Sequence, residues 1–177
     1  RVGDLIDNGG GTMGGNGALR LDAGRLDNQS GTVKTQAGLE LHADGAVNNA
    51  GGNLLAGQGL SIEAGGDLNN QSGTLNGDDV RLAVQGLDNA QGQIIGQGNL
   101  DLTASRLDNQ RGLMGAGKAL DIHTGDWNNR GGIAQGETAV TATAGNLNND
   151  GGKLLSGQTS TLKTSGNVTN RSGEISA

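Results

Sequence analysis

An asparagine returns every 19 to 21 residues along the whole chain, at Asn8, Asn28, Asn49, Asn70, Asn89, Asn109, Asn129, Asn149 and Asn170. Two residues before each stands an apolar side chain: Ile6, Leu26, Val47, Leu68, Leu87, Leu107, Trp127, Leu147 and Val168. Three residues after each stands a glycine: Gly11, Gly31, Gly52, Gly73, Gly92, Gly112, Gly132, Gly152 and Gly173. A fixed period near 20 residues means stacked units, each burying its apolar side against its neighbours, rather than a closed globule. Function is then expected on a surface and not in a pocket.

Each copy is numbered from its first apolar residue as offset 0. Offset 1 is Asp or Asn in eight of the nine copies, with Thr169 the exception. Offset 7 is apolar again, for example Val33, Leu54 and Ile94. Offsets 13, 15 and 17 read apolar, apolar, small, as in Leu39-Glu40-Leu41-His42-Ala43 and Leu100-Asp101-Leu102-Thr103-Ala104. The fourth copy reaches this segment one residue early, at Val80, and the eighth carries Ser160 in an apolar column. The alternation has period two, which marks a strand with one face inward. Three short strands per copy, separated by Gly, Asn and Asp turns, predict an all-β chain: a right-handed parallel β-helix of about nine coils over residues 1–177.

Coils stacked at roughly 4.8 Å would make a rod roughly 40 Å long. The Asn shares strand parity with offset 0, so its side chain is expected to point inward and form a ladder of amides, each donating to one neighbour and accepting from the other. The glycine at offset 5 is expected to take a positive φ or to permit a tight turn. Leucine-rich repeats have a similar period and an inward Asn but need further leucines in a second segment, which here is rich in glycine. Six-residue subperiods and recurring Gly-Gly-x-Gly-x-Asp runs, the marks of two other solenoids, are not found.

Composition excludes several classes of function. A net charge of −6 argues against a nucleic-acid partner. With no cysteine, neither a disulfide nor a Cys-based metal site is available. No apolar run reaches the length of a membrane-spanning helix, so insertion of this segment into a membrane is not expected. No signal peptide is seen, and the pattern is cut in mid-repeat at both ends, as in an excerpt of a longer chain.

Candidate chemistry on the surface is sparse. His42 and His123 share an outward column but lie four coils apart, roughly 19 Å at the strand spacing, too far for one metal. Asp7 with Asp27, and Asp88 with Asp108, would stack at offset 1; a solvated turn is favoured over a shared cation. Arg25, Arg81, Arg106 and Lys153 are scattered singly and no Ser/His/Asp set converges, so an enzyme and a cofactor are not expected. Leu55, Ile95 and Leu155 stand at the outward offset 8, where exposed aliphatics would mark a contact face; they are not on adjacent coils, and a local twist or bulge that half-buries them is the favoured reading. Trp127 either packs in the core, the favoured reading, or tips toward solvent as a further contact.

The unit Leu-Asp/Asn-Asn-x-x-Gly-x-apolar, clearest in Leu26-Asp27-Asn28-Gln29-Ser30-Gly31-Thr32-Val33 and Leu107-Asp108-Asn109-Gln110-Arg111-Gly112-Leu113-Met114, resembles the haemagglutinin repeat of filamentous haemagglutinin and its relatives. The resemblance covers essentially the whole chain. It implies a secreted, cell-surface exoprotein of a Gram-negative bacterium, exported through an outer-membrane β-barrel transporter by two-partner secretion. Such filaments act as adhesins, or carry the toxin of contact-dependent growth inhibition. This segment is then expected to be a spacer presenting distal parts. The alternatives are a module that binds a host-cell or bacterial surface receptor, and, more remotely, a carbohydrate-processing β-helix enzyme.

Overall fold

The computed structural model describes residues 2–177; Arg1, part of the span assigned above to the solenoid, lies outside them. The described chain is all-β and winds into a parallel β-solenoid of about nine turns, with no helix. Its strands form two hydrogen-bonded sheets, of nine and thirteen strands.

The nine-stranded sheet collects offsets 6 to 9 of every coil, from Thr12–Gly15 at one end to Glu174–Ser176 at the other. Its register is strict: Val33 pairs Leu54, Leu54 pairs Leu75, Leu75 pairs Ile94, and Ile94 pairs Met114. The thirteen-stranded sheet holds the longer segments. In four coils these run unbroken into the Asn corner, as Leu19–Asp27, Val80–Asp88, Leu100–Asp108 and Ala119–Asn128. In others a bend separates a strand such as Leu39–Ala43 from the two-residue strand Val47–Asn48. A coil therefore has three strands or two, according to that bend. The bend holds an additional residue in the coils containing Asp44-Gly45-Ala46, Gly65-Gly66-Asp67 and Ser165-Gly166-Asn167. The early segment of the fourth copy is absorbed in the turn Asp78-Asp79, because Val80 still pairs with Leu60 on one side and Leu100 on the other.

The core is the thin space between the two sheets. Leu54, Leu75, Ile94 and Met114 enter it from one side; Leu60, Ile62, Leu68, Leu82 and Leu100 enter from the other. Each is shared with the coils above and below, so a chain with only 32% apolar residues still has a continuous interior. Full burial of one such side chain contributes about 1.5–3 kcal/mol. In the last coil the same columns open to solvent, where Val168 is 43% exposed.

The coil that carries Trp127 also carries Ala134 and Ala142, where most other coils place Leu, Ile, Val or Met. All three side chains belong to the buried cluster. The indole volume is thus offset by two truncations within one turn, so the solenoid keeps its register there: Trp127 pairs Leu107 and Leu147. Interiors packed at crystal density require compensation of this kind.

Candidate functional surface

The Asn corner repeats one side-chain hydrogen bond from coil to coil. Asn8 Nδ2 donates to Asn28 Oδ1 at 2.7 Å, and the same bond recurs coil by coil until Asn149 Nδ2 donates to Asn170 Oδ1 at 2.7 Å. The second amide hydrogen is shared between two carbonyls. For Asn89 these are Gly92 O at 3.4 Å and Leu113 O at 3.3 Å. Every donor points toward the following coil, so the ladder is polar along the rod. Asn28 through Asn149 are fully buried with this bonding complete, which satisfies groups whose burial would otherwise be costly. Asn8 is nearly buried, and Asn170 ends the ladder in an exposed position.

The backbone of the corner is a four-residue turn in which the offset-5 glycine N–H donates to the Asn carbonyl, as from Gly92 to Asn89 at 3.0 Å. The positive φ belongs to offset 4 and not to offset 5. Gly10, Gly51, Gly131 and Gly151 stand there in four coils, and Ser30, Ser72, Gln91, Arg111 and Ser172 in the other five, all between 53° and 65°. The offset-5 glycines are required for space instead. A Cβ on Gly92 would lie 2.6 Å from Asn89 Oδ1 and closer still to the Asn70 carbonyl oxygen of the preceding coil. Gly31, Gly52, Gly73, Gly112, Gly132, Gly152 and Gly173 meet the same two neighbours, while Gly11, in the first coil, meets only its own Asn8. The ladder and the glycine column are one device: the amide can sit in the corner only where the next turn has no side chain.

Offset 1 does more than face solvent. Its side-chain oxygen accepts the N–H two residues on, as Asp27 does from Gln29 at 3.0 Å, Asp108 from Gln110 at 2.8 Å and Asn148 from Asp150 at 3.0 Å. This is an Asx turn, which Asp and Asn close more strongly than Ser or Thr. Where Asn follows Asp, the amide also bridges coils, as from Asn48 to Asp27 at 3.0 Å and from Asn128 to Asp108 at 3.1 Å. Among the described residues no group of three or more His, Asp or Glu side chains could hold a metal ion.

The outward charges form local bridges. Arg20 donates to Asp22 at 2.9 Å and to Glu40 on the next coil at 3.0 Å. The hydrogen bond from Arg20 holds the Asp22 carboxyl below its usual pKa. Arg106 reaches across Gly86 to Asp67, two coils back. Gly86 is what makes room, since a Cβ there would lie 2.7 Å from Arg106 Cζ. Together with Asp88, Asp108 and Asp126 these residues line an open groove of about 450 Å³ on the corner. His42 lies 3.6 Å from both Asp44 and Glu63, and His123 lies 3.3 Å from Asp121. The two histidines remain separate, each on its own coil.

The apolar contact candidates divide. Trp127 is 2% exposed, so it is a core residue and offers no surface; its Nε1 is buried without an acceptor. Leu55, Ile95 and Leu155 are half-buried on the outer face of the nine-stranded sheet, on coils that do not touch one another. Two further aliphatics, Leu113 and Ile133 at offset 6, are half-buried on the same face and fill the coils between Ile95 and Leu155. Reading offset 8 alone misses them; reading both outward columns of this strand would have found the stripe.

The family model for the haemagglutinin repeat matches in overlapping segments, residues 2–50, 15–72, 35–104, 70–126 and 115–172. No curated protein and no solved structure matches the chain. The family match runs almost end to end over the same coils that carry the Asn ladder, the Asx turns and the glycine column. This chain belongs to the haemagglutinin repeat family.

Proposed function

We propose that this chain is a structural filament segment of a secreted bacterial surface exoprotein, an adhesin or a carrier of a contact-dependent inhibition toxin, and that it holds distal functional parts away from the cell. The observation that carries the reading is the unbroken in-register stacking. The core, the ladder and both sheets run through every coil, so each coil adds one increment of length. The family is a structural and adhesin repeat, which agrees with a mechanical role. Export as an unfolded chain through an outer-membrane β-barrel transporter suits this architecture, because a solenoid can fold coil by coil as it emerges.

The test is saturable binding of the labelled chain to epithelial cells and to Gram-negative bacteria that do not display it. The control is a variant with outward positions scrambled and inward columns kept. A spacer binds neither cell type. Saturable binding that the scrambled variant loses would replace the spacer with the second reading, a direct adhesive module. The half-buried aliphatic stripe on the nine-stranded sheet is the feature that favours that alternative.

A further inference from the structure

The two outer faces of the solenoid differ in charge. Outward positions of the thirteen-stranded sheet carry Arg20, Asp22, Glu40, Arg81, Asp101 and others, whereas the nine short strands carry only Lys34, Lys153 and Glu174. In the middle of that nearly neutral face, four consecutive coils each present one aliphatic: Ile95, Leu113, Ile133 and Leu155. Ile95 and Leu155 stand at offset 8; Leu113 and Ile133 stand at offset 6. Apolar side chains on one solvent-facing side of a parallel sheet are unusual, since such sheets are normally covered on both faces.

We propose that this face pairs with the same face of a second copy, with the two rods antiparallel. The argument is symmetry. A two-fold axis along the strand direction, between Leu113–Ala116 and Ile133–Gly136, preserves offsets and reverses coil order. It sets Leu113 against the partner's Ile133 and Ile95 against the partner's Leu155, each pair occurring twice. Lys153 then faces a Gln93 amide. The turns bordering the face bring Lys118 toward the partner's Glu137, again twice, and among the described residues neither stands in an ion pair within its own chain. A parallel pairing exchanges offsets 6 and 8. It would set Leu113 against Gly115, Ile133 against Gln135, Ile95 against Gln93 and Leu155 against Lys153, so no aliphatic would meet another.

Six facing coils of four-residue strands span roughly 29 Å by 13 Å, which is roughly 750 Å² over both partners. That area belongs to weak, reversible contacts, and many copies side by side would add strength through avidity. Rods anchored with one polarity at a cell surface meet antiparallel only when they come from facing cells. That consequence rests on the filament reading above; the pairing itself does not.

Sedimentation across a concentration series of the 177-residue chain should show a reversible dimer. Leu113→Glu should weaken it by about tenfold or more, and adding Ile133→Lys should recover most of the loss. Orientation is read separately with exposed polar positions that do not endanger folding. The chain has no cysteine, so Gln93→Cys and Lys153→Cys introduce unique thiols. A short bis-maleimide should link a mixture of the two variants and leave Gln93→Cys alone unlinked, its copies lying roughly 14 Å apart along the rod. A monomer at all concentrations, association indifferent to Leu113→Glu, or self-linking of Gln93→Cys would each overturn the proposal.

Discussion

Replacing Asn89 with Ala tests whether the ladder or the Asx turn holds the corner together, because Asp88 is its direct neighbour in sequence. Asn89 accepts from Asn70 Nδ2 at 2.7 Å and donates to Asn109 Oδ1 at 2.7 Å, all fully buried. Its loss leaves one buried donor and one buried acceptor unpaired, at about 1–3 kcal/mol each, so about 4 kcal/mol in all. Asp88 accepts from Ala90 N–H at 3.0 Å and Gln71 Nε2 at 2.6 Å, but it is half-exposed and water replaces it, so Asp88→Ala should cost about 1 kcal/mol. For a slope of about 2 kcal/mol per M, urea midpoints fall by about 2 M and about 0.5 M respectively. Far-UV circular dichroism reports the whole rod and Trp127 fluorescence reports a coil two turns away, so loss of cooperativity would also be seen. Equal midpoints for the two variants would refute the inward-ladder argument. Asn89→Asp sharpens the test through the polarity of the ladder. It still accepts from Asn70 but turns an acceptor toward Asn109 Oδ1. Burial raises such a carboxyl's pKa, so the defect should be smallest in acid, where the protonated group can donate, and should grow as the pH rises through the carboxyl range.

Other features of the solenoid give further tests. Trp127→Leu should cost about 2 kcal/mol through the cavity it leaves, and Ala134→Leu should cost about 1–3 kcal/mol by overpacking; the double variant should cost less than the sum in a chemical-denaturation cycle, and strict additivity would show that the two volumes are not coupled. At offset 4, Gln91→Gly should stabilise by up to about 1 kcal/mol and Gly131→Ala should destabilise by a similar amount, read as melting temperatures; opposite signs would remove the left-handed assignment. Gly112→Ala should be far worse than Gly131→Ala, since its Cβ would collide with the Asn89 carbonyl and Asn109 Oδ1, and comparable melting temperatures would contradict that contact. Arg20→Gln should raise the Asp22 carboxyl toward its usual pKa in an NMR titration. The lowered pKa means that the bridge's contribution is present above the ordinary carboxyl range and fades as pH falls through the folded value, and an unmoved titration would count against the hydrogen bond from Arg20.

Much of the fold was legible because solenoids write their geometry as period. The inward columns at offsets 0, 7, 13 and 15 follow from alternation alone. The Asn column could be assigned to the interior by parity before any contact was known. What alternation does not carry is backbone sign. Gly stands at offset 5 in all nine copies and at offset 4 in only four, so the invariant column drew the conformational argument. Invariance there comes from steric contact with the preceding coil, which involves residues about 20 positions away. The left-handed residue, by contrast, tolerates Ser, Gln and Arg at a cost of about 1–2 kcal/mol. Trp127 was ambiguous for a similar reason: its compensation lies at Ala134 and Ala142, across the coil rather than along the strand. The aliphatic stripe was hidden because Ile95, Leu113, Ile133 and Leu155 occupy two offsets, and only stacking makes them neighbours.

The bend before the Asn corner admits a residue in some coils and omits it in others, while the strands on either side keep their partners. Reach is therefore counted in turns and not in amino acids. Gain or loss of one whole copy changes the distance spanned by one inter-strand step and leaves every column in line. A small insertion at the bend leaves the distance unchanged and only decorates the side. A lineage can thus tune how far the rod extends and what its flank displays as two separate variables, by duplication for the first and by local insertion for the second.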